Sequence, residues 1–305
     1  MKIFMSFINN LKVFFRYIYT SKWKIQLPKK NKFILVDGDY NPFVKYIKKK
    51  DITVLYRRGE EINLNILLKC LFKLKFSTLD YCDEFIRHVS PKLILTAFDY
   101  HTIFYKLSKK TGIKTLMLQK AQRGNTSGII SNSDYYFPKN SKNFFYVDYV
   151  LLYNEAVRKF YSKRISGNFF EIGSFENNFN KISSKRQKKE IVFISNYSHS
   201  IKNKCENEDT VAFYLNELAK KNNIRFNILP RYRNNPQILI REKNFYNKIL
   251  KDDTKFILER KMTSYELLLN YKFIFSTYST LANESLAKGA RVGFIMYKSS
   301  KNPIF

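Results

Sequence analysis

The C-terminal part of the chain carries a clear alternation of apolar and polar positions. Residues 264–295 read SYELLLNYKFIFSTYSTLANESLAKGARVGFI. An apolar run bounded by turn residues is typical of a buried strand, and a hydroxyl residue before a helical stretch with glycine after it is typical of a capped helix. The stretch therefore predicts a βαβ unit with a parallel sheet: a short helix at 265–270, a strand at 272–276, a helix from Ser279 or Thr280 to Gly289, and a strand at 291–295.

The rest of the chain repeats this alternation of strand-length apolar runs with amphipathic helical stretches. It does so on both sides of a polar, basic segment at 181–189, which we interpret as a linker. The pattern predicts an α/β protein of two Rossmann-like, doubly wound domains with parallel sheets, at 31–180 and 190–305. The predicted strands lie at 32–36, 52–56, 92–97, 114–118, 149–153, 169–172, 191–195, 225–229 and 255–258, the predicted helices at 63–74, 78–89, 102–110, 155–165, 208–221 and 237–250, and a long polar loop at 119–143.

Residues 1–30 predict a basic amphipathic helix at 2–20 and a short linker. The apolar residues recur at helical spacing, and Lys2, Lys12 and Arg16 lie off the apolar stripe. The stripe is too interrupted to span a bilayer, and the segment lacks the small-residue cleavage site of a signal peptide. Two interpretations stay open: the helix lies on an anionic membrane face, or it packs on the first domain.

The net charge of +30 first suggests nucleic acid or an anionic membrane as a partner. The basic residues are spread along the chain, however, and the abundance of Lys, Asn, Ile, Phe and Tyr is typical of proteins from A/T-rich genomes. No recognisable nucleic-acid-binding module is present. Three scattered cysteines and three histidines favour a reducing compartment and argue against a disulfide framework or a zinc site.

The predicted βαβ unit places a cluster of hydroxyl side chains at residues 276–280, beyond the carboxyl end of a strand and at the start of a helix. In open parallel sheets, ligands bind at this edge, where free amides and the helix dipole favour phosphate. Glu284 follows one turn after Thr280 and is placed to accept both hydroxyls of a ribose. The alternative is a well-capped helix whose polar face, including Glu284, is solvated.

The residues Ser279-Thr280-Leu281 and Glu284-Ser285-Leu286-Ala287-Lys288-Gly289 resemble the nucleotide-sugar motif of the GT-B glycosyltransferase superfamily. Three further stretches, at 54–63, 153–163 and 172–178, resemble bacterial surface-carbohydrate (polysaccharide) biosynthesis proteins of that superfamily. The resemblance covers most of residues 30–295. It implies two domains that face each other across a cleft, with the acceptor bound by the first domain and the donor by the second.

Two features depart from the superfamily pattern. Where such proteins often carry a Gln-Asn-Gly or Gln-His-Gly turn after a strand, this chain has Gln119-Lys120-Ala121, which lacks the glycine that lets the backbone approach a ligand. The chain also ends at Phe305, before the helix that usually crosses back onto the first domain. We therefore expect either a fragment or a C-terminal domain with an incomplete cleft.

The resemblance implies a glycosyltransferase of cell-surface polysaccharide biosynthesis that moves a sugar from a nucleotide-sugar donor to a glycan or lipid-linked acceptor. Such a reaction needs a base for the acceptor hydroxyl and charge relief for the leaving diphosphate. We predict Asp99 as the base, with His101 second, since both follow a strand; the alternative for Asp99 is an N-cap. The predicted donor-binding residues are Ser279, Thr280, Glu284, Arg231 and Arg233, the arginines replacing a metal ion unless they belong to a solvated basic loop.

No metal site and no cofactor other than the nucleotide-sugar substrate are predicted. Asp37 and Asp39 also follow a strand, but a turn explains them. The expected location is the cytoplasm, and peripheral attachment to the inner face of the cytoplasmic membrane follows if the helix at 2–20 lies on an anionic membrane face. Three alternatives stay open: a non-catalytic scaffold of the same fold, a nucleotide-sugar 2-epimerase, and a basic nucleic-acid-binding protein.

Overall fold

A computed structural model shows two compact α/β units, Met1–Phe175 (the N-terminal unit) and Glu176–Phe305 (the C-terminal unit). The helix predicted at 2–20, His101 and most of the predicted loop at 119–143 lie outside the residues that the structure describes. The described residues are 21–37, 43, 46–57, 60–75, 77–99, 103–120, 145–175, 177–178, 188–198, 208–252 and 255–295.

The N-terminal unit is built on a six-stranded sheet in which all neighbouring strands are parallel, with the order β3-β2-β5-β6-β7-β8. Helices follow most strands, which confirms the predicted alternation. The elements are β1 (Lys22–Lys24), β2 (Phe33–Val36), a 3₁₀ turn (Lys49–Asp51), β3 (Ile52–Leu55), β4 (Glu61–Asn63), α1 (Leu64–Phe72), α2 (Thr78–Val89), β5 (Leu93–Thr96), α3 (Phe104–Thr111), β6 (Thr115–Leu118), β7 (Phe145–Leu152), α4 (Glu155–Tyr161) and β8 (Ile165–Glu171).

The central strands of this sheet are almost wholly apolar because helices cover them. Residues of β2, β5 and β6 share one buried core with residues of α2, α3 and β7. Gly167 in β8 shows how closely β7 and β8 approach: its φ is +149°, and a Cβ there would lie 1.8 Å from the carbonyl oxygen of Val147. The register between the two strands shifts at this point, so only glycine fits.

A second, two-stranded sheet was not predicted from the sequence. β1 pairs in parallel with β4, so that Trp23 lies opposite Ile62. The sequence Lys-Trp-Lys has no apolar run, so it predicts no strand at residues 22–24. The pairing depends on a strand that lies far away in sequence, which a local pattern does not indicate.

The C-terminal unit contains a four-stranded parallel sheet with the order β10-β9-β11-β12. The predicted helix at 208–221 and the predicted βαβ unit near the end of the chain are both present. The elements are β9 (Lys188–Ile194), α5 (Glu208–Lys221), β10 (Phe226–Leu229), α6 (Pro236–Leu250), α7 (Ser264–Leu268), β11 (Tyr271–Ser276), α8 (Thr280–Ala287) and β12 (Arg291–Phe294).

The strands predicted at 149–153 and 169–172 begin four residues earlier, at Phe145 and Ile165. Three further predictions need correction. The helix predicted at 155–165 ends at Tyr161, since Ile165 is drawn into the sheet opposite Phe145. The strand predicted at 255–258 is a single bridge between Ile228 and Phe256. Lys188 and Lys189, assigned to the linker, belong to β9, whereas residues 181–187 lie outside the described part of the chain.

Candidate functional site

The carboxyl ends of β9 and β11 are joined by side-chain hydrogen bonds within the C-terminal unit. The Asn196 side-chain amide donates to Ser276 Oγ at 3.2 Å and to Thr277 Oγ1 at 2.8 Å. All three residues are buried. The two strands therefore end in one shared layer of hydroxyl and amide groups at the edge where parallel sheets bind ligands.

A buried carboxyl group lies beneath this layer. Glu208, at the start of α5, is 2% exposed and accepts hydrogen bonds from Thr277 Oγ1 at 2.7 Å, from the Asn196 N–H at 3.0 Å and from the Tyr246 hydroxyl at 2.9 Å. Burial raises the pKa of Glu208, although these hydrogen bonds act in the opposite direction. The contacts orient Thr277 and Asn196 toward each other.

A second buried carboxyl group shapes the loop after β10. Glu242 of α6 accepts hydrogen bonds from Ser195 Oγ at 2.5 Å and from the backbone N–H groups of Arg231 and Tyr232 at 2.8 and 3.0 Å. The side chain is fully buried, and burial raises its pKa. Glu242 thus replaces the solvent that two loop amides would otherwise require.

The two predicted arginines differ in their surroundings. Arg231 directs its guanidinium Nη1 to the carbonyl oxygens of Asn196 and Tyr197, at 3.5 and 3.3 Å, and so lies beside the hydroxyl layer. Arg233 is 5% exposed and donates from Nη2 to the Met262 carbonyl oxygen at 2.7 Å. The solvated-loop interpretation is therefore wrong for Arg233.

Arg233 also has unused hydrogen-bonding capacity. Its Nε and Nη1 atoms are buried without a hydrogen-bond partner among the described residues. Burial lowers the pKa of Arg233, which nevertheless remains a cation because arginine holds its proton so tightly. A buried guanidinium with two unsatisfied donors is suited to an anionic group, which would supply both charge and acceptors.

Helix α8 begins as predicted, with Ser279 as its N-cap. Ser279 Oγ accepts from the Leu281 N–H at 3.2 Å, and the Ser279 N–H donates to Ser276 Oγ, also at 3.2 Å. The expectation of a wholly free set of amides is therefore wrong for these two groups, which the serine hydroxyls already satisfy. At the other end of the helix, Gly289 takes a φ of +80°, which suits the predicted C-terminal glycine.

Glu284 lies one helical turn after Thr280 and is 4% exposed. The alternative that places this residue on a solvated helix face is wrong. A segment from the start of the same unit packs against this part of α8: Asn177 Nδ2 donates to the Glu284 carbonyl oxygen at 2.9 Å, and Lys288 Nζ donates to the Asn177 carbonyl oxygen at 2.7 Å. These contacts fix the helix turn that carries the carboxylate.

In the N-terminal unit, the predicted base Asp99 follows β5 and is 1% exposed. Its Oδ2 accepts a short hydrogen bond from the Tyr161 hydroxyl, and its carbonyl oxygen accepts from the Tyr105 hydroxyl at 2.7 Å. Asp99 is not the N-cap of α3, since Ile103 occupies that position. The hydroxyl of Tyr161 therefore orients the Asp99 carboxylate, while His101 lies outside the described residues.

Asp37 has the turn role that the sequence suggested. It takes a positive φ of 55°, and its carboxylate bonds both the N–H of Arg57, at 3.1 Å, and the Arg57 Nε, at 2.5 Å. This buried ion pair joins the ends of β2 and β3. Asp39 lies outside the described residues.

A cavity of about 360 Å³ lies elsewhere in the N-terminal unit, and no predicted site residue lines it. Among the described residues, no group of three or more His, Cys, Asp or Glu side chains is placed to hold a metal ion. No helix in that part of the chain is long and apolar enough to cross a membrane.

The sequence did not identify the residues that support the hydroxyl layer. Asn196 follows an apolar strand directly, and that position was a usable signal. Glu208, Glu242 and Tyr246 lie within helices, where an acidic or aromatic residue has no distinguishing pattern. Only the packing of α5 and α6 against the sheet shows that they meet.

Comparison with solved structures shows which known folds this chain is similar to. A structure described as "putative UDP-N-acetylglucosamine 2-epimerase from Listeria monocytogenes" superposes with a TM-score of 0.53 and 14% identity, over 87% of this chain and 78% of that one. The wall teichoic acid polymerase TagF gives 0.49 and 14%, over 94% and 79%. A UDP-GlcNAc 2-epimerase from Neisseria meningitidis bound to UDP-GlcNAc gives 0.48 and 13%, over 86% and 82%. The chain therefore shares the α/β fold with parallel sheets of the Listeria structure.

The family follows from the sequence. Residues 116–303 match the model of a family described as "putative O-antigen biosynthesis protein". This match spans more than half of the chain, which therefore belongs to that family and has a role in cell-surface carbohydrate biosynthesis. No curated protein matches the chain.

Proposed function

We propose that this protein is a nucleotide-sugar-dependent glycosyltransferase that passes a sugar to a glycan or lipid-linked acceptor during surface-carbohydrate biosynthesis. The observation that carries the proposal is the edge of the C-terminal sheet. There, buried carboxyl groups hold a layer of hydroxyls, and Arg231 lies beside that layer. Burying carboxyl groups at a strand edge lowers the stability of the fold. A ligand-binding role is a reason for the chain to keep such a network there.

The donor would be held by its charge and its ribose. Arg231 and Arg233 would offset the diphosphate, with Ser279 and Thr280 contributing hydroxyls at the start of α8 and the helix dipole adding a modest attraction. A ligand that accepts hydrogen bonds from the N–H groups of Ser279 or Leu281 must displace a serine hydroxyl. The arginines would therefore contribute more to diphosphate binding than these amides do. Glu284 would accept the ribose hydroxyls.

In the transfer step, the acceptor oxygen bonds to the anomeric carbon as the bond from that carbon to the diphosphate oxygen breaks. Asp99 would take the acceptor proton, with Tyr161 orienting its carboxylate, and His101 is the second candidate for this role. The nucleoside diphosphate would leave with its charge balanced by arginine rather than by a metal ion.

A nucleotide-sugar 2-epimerase is the second candidate, because the Listeria structure with the TM-score of 0.53 carries that description. The two activities differ in what they need. An epimerase changes the sugar with no acceptor present, whereas a transferase consumes the donor only in step with an acceptor. A scaffold would bind the nucleotide and convert nothing.

The test begins with the binding of nucleoside diphosphates and nucleotide sugars. Binding is measured by the shift that each ligand causes in the thermal unfolding midpoint. A ligand at about a hundred times its Kd should stabilise the fold by about 2.7 kcal/mol. In Glu284→Gln the shape is kept and the charge is lost, so nucleotide affinity should fall by roughly ten- to a hundredfold, as expected for a charge-assisted hydrogen bond.

The matched control is Glu217→Gln, which changes an exposed glutamate of α5 and should leave affinity unchanged. The unfolding midpoint of both variants without ligand shows that the fold is kept. Normal nucleotide affinity in Glu284→Gln would contradict the assigned ribose contact. Product analysis with and without acceptor then separates transferase, epimerase and scaffold.

A further inference from the structure

In the part of the chain that the structure describes, nearly half of the exposed large apolar side chains come from two short segments of the N-terminal unit. Seven of the fifteen large hydrophobic residues that are exposed in the described part of the chain come from residues 21–32 and 64–75. The most exposed are Phe72 at 86%, Leu74 at 78% and Ile25 at 71%. We call this the apolar-basic surface; its apolar members are Trp23, Ile25, Leu27, Leu68, Leu71, Phe72 and Leu74.

The two segments form one continuous surface. β1 pairs in parallel with β4, which leads directly into α1. Asn65 Nδ2 donates to the Ile25 carbonyl oxygen at 2.6 Å and so attaches the first segment to the first turn of α1. Asn65, Leu68 and Phe72 lie on one face of that helix because they are three and four residues apart. The apolar side chains therefore run from Ile25 along α1 to its end.

The two segments of this surface carry only positive charge, whereas the connecting strand β4 adds Glu61 and is preceded by Glu60. Residues 21–32 and 64–75 contain eight lysines and no acidic residue. Three of the lysines have carboxylates nearby: Lys24 pairs with Glu61, Lys73 with Glu84 and Lys75 with Asp83. The remaining five give the surface an excess of positive charge, most of it on exposed side chains of residues 22–32.

This charge decides between occupants of the surface. A second copy of the chain would bring the same lysines into contact with themselves. Residues 1–20 are also basic, with Lys2, Lys12 and Arg16 and no acidic residue, so they are repelled as well. An anionic lipid surface attracts the lysines, accepts the apolar side chains below its headgroups, and suits a tryptophan at the boundary.

We propose that the apolar-basic surface docks this protein on an anionic phospholipid membrane, with Phe72 and Leu74 entering the acyl boundary. None of the residues of this surface belongs to the predicted helix at 2–20 or to the proposed donor site. The proposal therefore stands or falls independently of the proposed glycosyl transfer.

The chain contains a probe for this contact, because Trp23 is its one tryptophan and lies in the surface. With the full chain and mixed phosphatidylglycerol–phosphatidylcholine vesicles, Trp23 emission should shift to shorter wavelength and be quenched by brominated acyl chains. Vesicles of phosphatidylcholine alone should have little effect, and added salt should release the protein. An unchanged Trp23 signal while the protein sediments with vesicles would overturn the proposal.

The decisive variant is Phe72→Gln with Leu74→Asn. Leu74 has a positive φ of 53°, which asparagine tolerates, and both side chains are exposed, so folding should be unaffected. Its partition onto mixed vesicles should fall at least about tenfold, since burying one large apolar side chain changes an equilibrium by about that factor or more.

The matched control is Tyr214→Gln with Ile240→Gln, which removes two side chains of similar exposure, 67% and 59%, from the C-terminal unit. It should bind vesicles as the wild type does. Equal partition of the Phe72/Leu74 variant and the wild type would show that another segment makes the membrane contact. A Trp23 shift that depends on protein concentration without vesicles would assign the surface to self-association; either result overturns the proposal. If the variant unfolds, quenching of Trp23 in the wild-type protein still shows whether this surface contacts the membrane.

Discussion

Several acidic side chains of the N-terminal unit and two of the C-terminal unit have pKa values shifted in opposite directions. In the N-terminal unit, hydrogen bonds from Ser77 and from Lys73 lower the pKa values of Asp80 and Glu84 respectively. Burial alone would raise the pKa of Asp148, but hydrogen bonds from Thr115, Ser108 and Tyr146 outweigh it and lower the value. In the C-terminal unit, burial raises the pKa values of Glu208 and Glu242.

This difference follows from where the acids lie. Glu84 joins two helices through the exposed ammonium of Lys73, and Asp148 receives several donors at once. Asp148 is only half-buried, whereas Glu208 and Glu242 are buried under the strand edge, where the cost of desolvation outweighs their hydrogen bonds. Asp80, Glu84 and Asp148 stabilise local structure as charged groups, whereas Glu208 and Glu242 organise a polar surface at a cost in desolvation.

The largest expected effect is that of Glu242→Ala. This change leaves the Arg231 and Tyr232 amides and the Ser195 hydroxyl without their acceptor, so the free energy of unfolding should fall by about 2–4 kcal/mol. Urea unfolding followed by circular dichroism measures the loss. Glu217→Ala, in the same unit but exposed, should change stability by less than about 0.5 kcal/mol. Equal effects of the two variants would contradict the role given to Glu242.

The pH dependence of stability should differ in sign between the units. An acid with a raised folded pKa contributes stability that is present below its unfolded pKa, about 4.3 for glutamate, and is lost as pH rises through the folded value. That applies to Glu208 and Glu242. For Asp80, Glu84 and Asp148 the folded pKa is lowered, so their contribution is present above the unfolded value and is lost as pH falls.

Unfolding midpoints in urea from about pH 3 to pH 7 test this difference. Trp23 fluorescence follows the N-terminal unit, and hydrogen exchange of β9 and β11 follows the C-terminal one. Protection of β9 and β11 should weaken as pH rises relative to the Trp23 transition, and Glu208→Gln should flatten that trend. If the stability of both units changed with pH in the same direction, the predicted difference in sign would be contradicted.

The smallest expected effect is that of Lys73→Ala, which removes the 2.7 Å ion pair with Glu84. The lysine is 53% exposed, so solvent screens the pair, and the loss should be about 0.2–1 kcal/mol and decrease with salt. Lys220→Ala removes the surface pair with Glu217 and is the matched control. A loss above about 2 kcal/mol would show that Lys73 acts as a buried charge.

The boundaries that sequence patterns predicted well are those with local causes. The helix at 208–221 matches the structure because an amphipathic run lies between turn segments, and α8 begins at its serine cap. The predictions that failed involve long-range pairing: β1 depends on β4, and Ile165 left its predicted helix to pair with Phe145. Tertiary contacts override local propensity in such cases.

For the candidate site, the sequence determines the order of strands and helices, the cap at Ser279 and the position of Glu284 one turn into α8, because these depend on neighbours within a few residues. Only the tertiary structure decides that Asn196 meets Thr277 and that Tyr246 meets Glu208. These contacts require β9 to lie between β10 and β11 with α5 and α6 packed against it. Strand order arises from burial of the whole sheet, which no local pattern encodes.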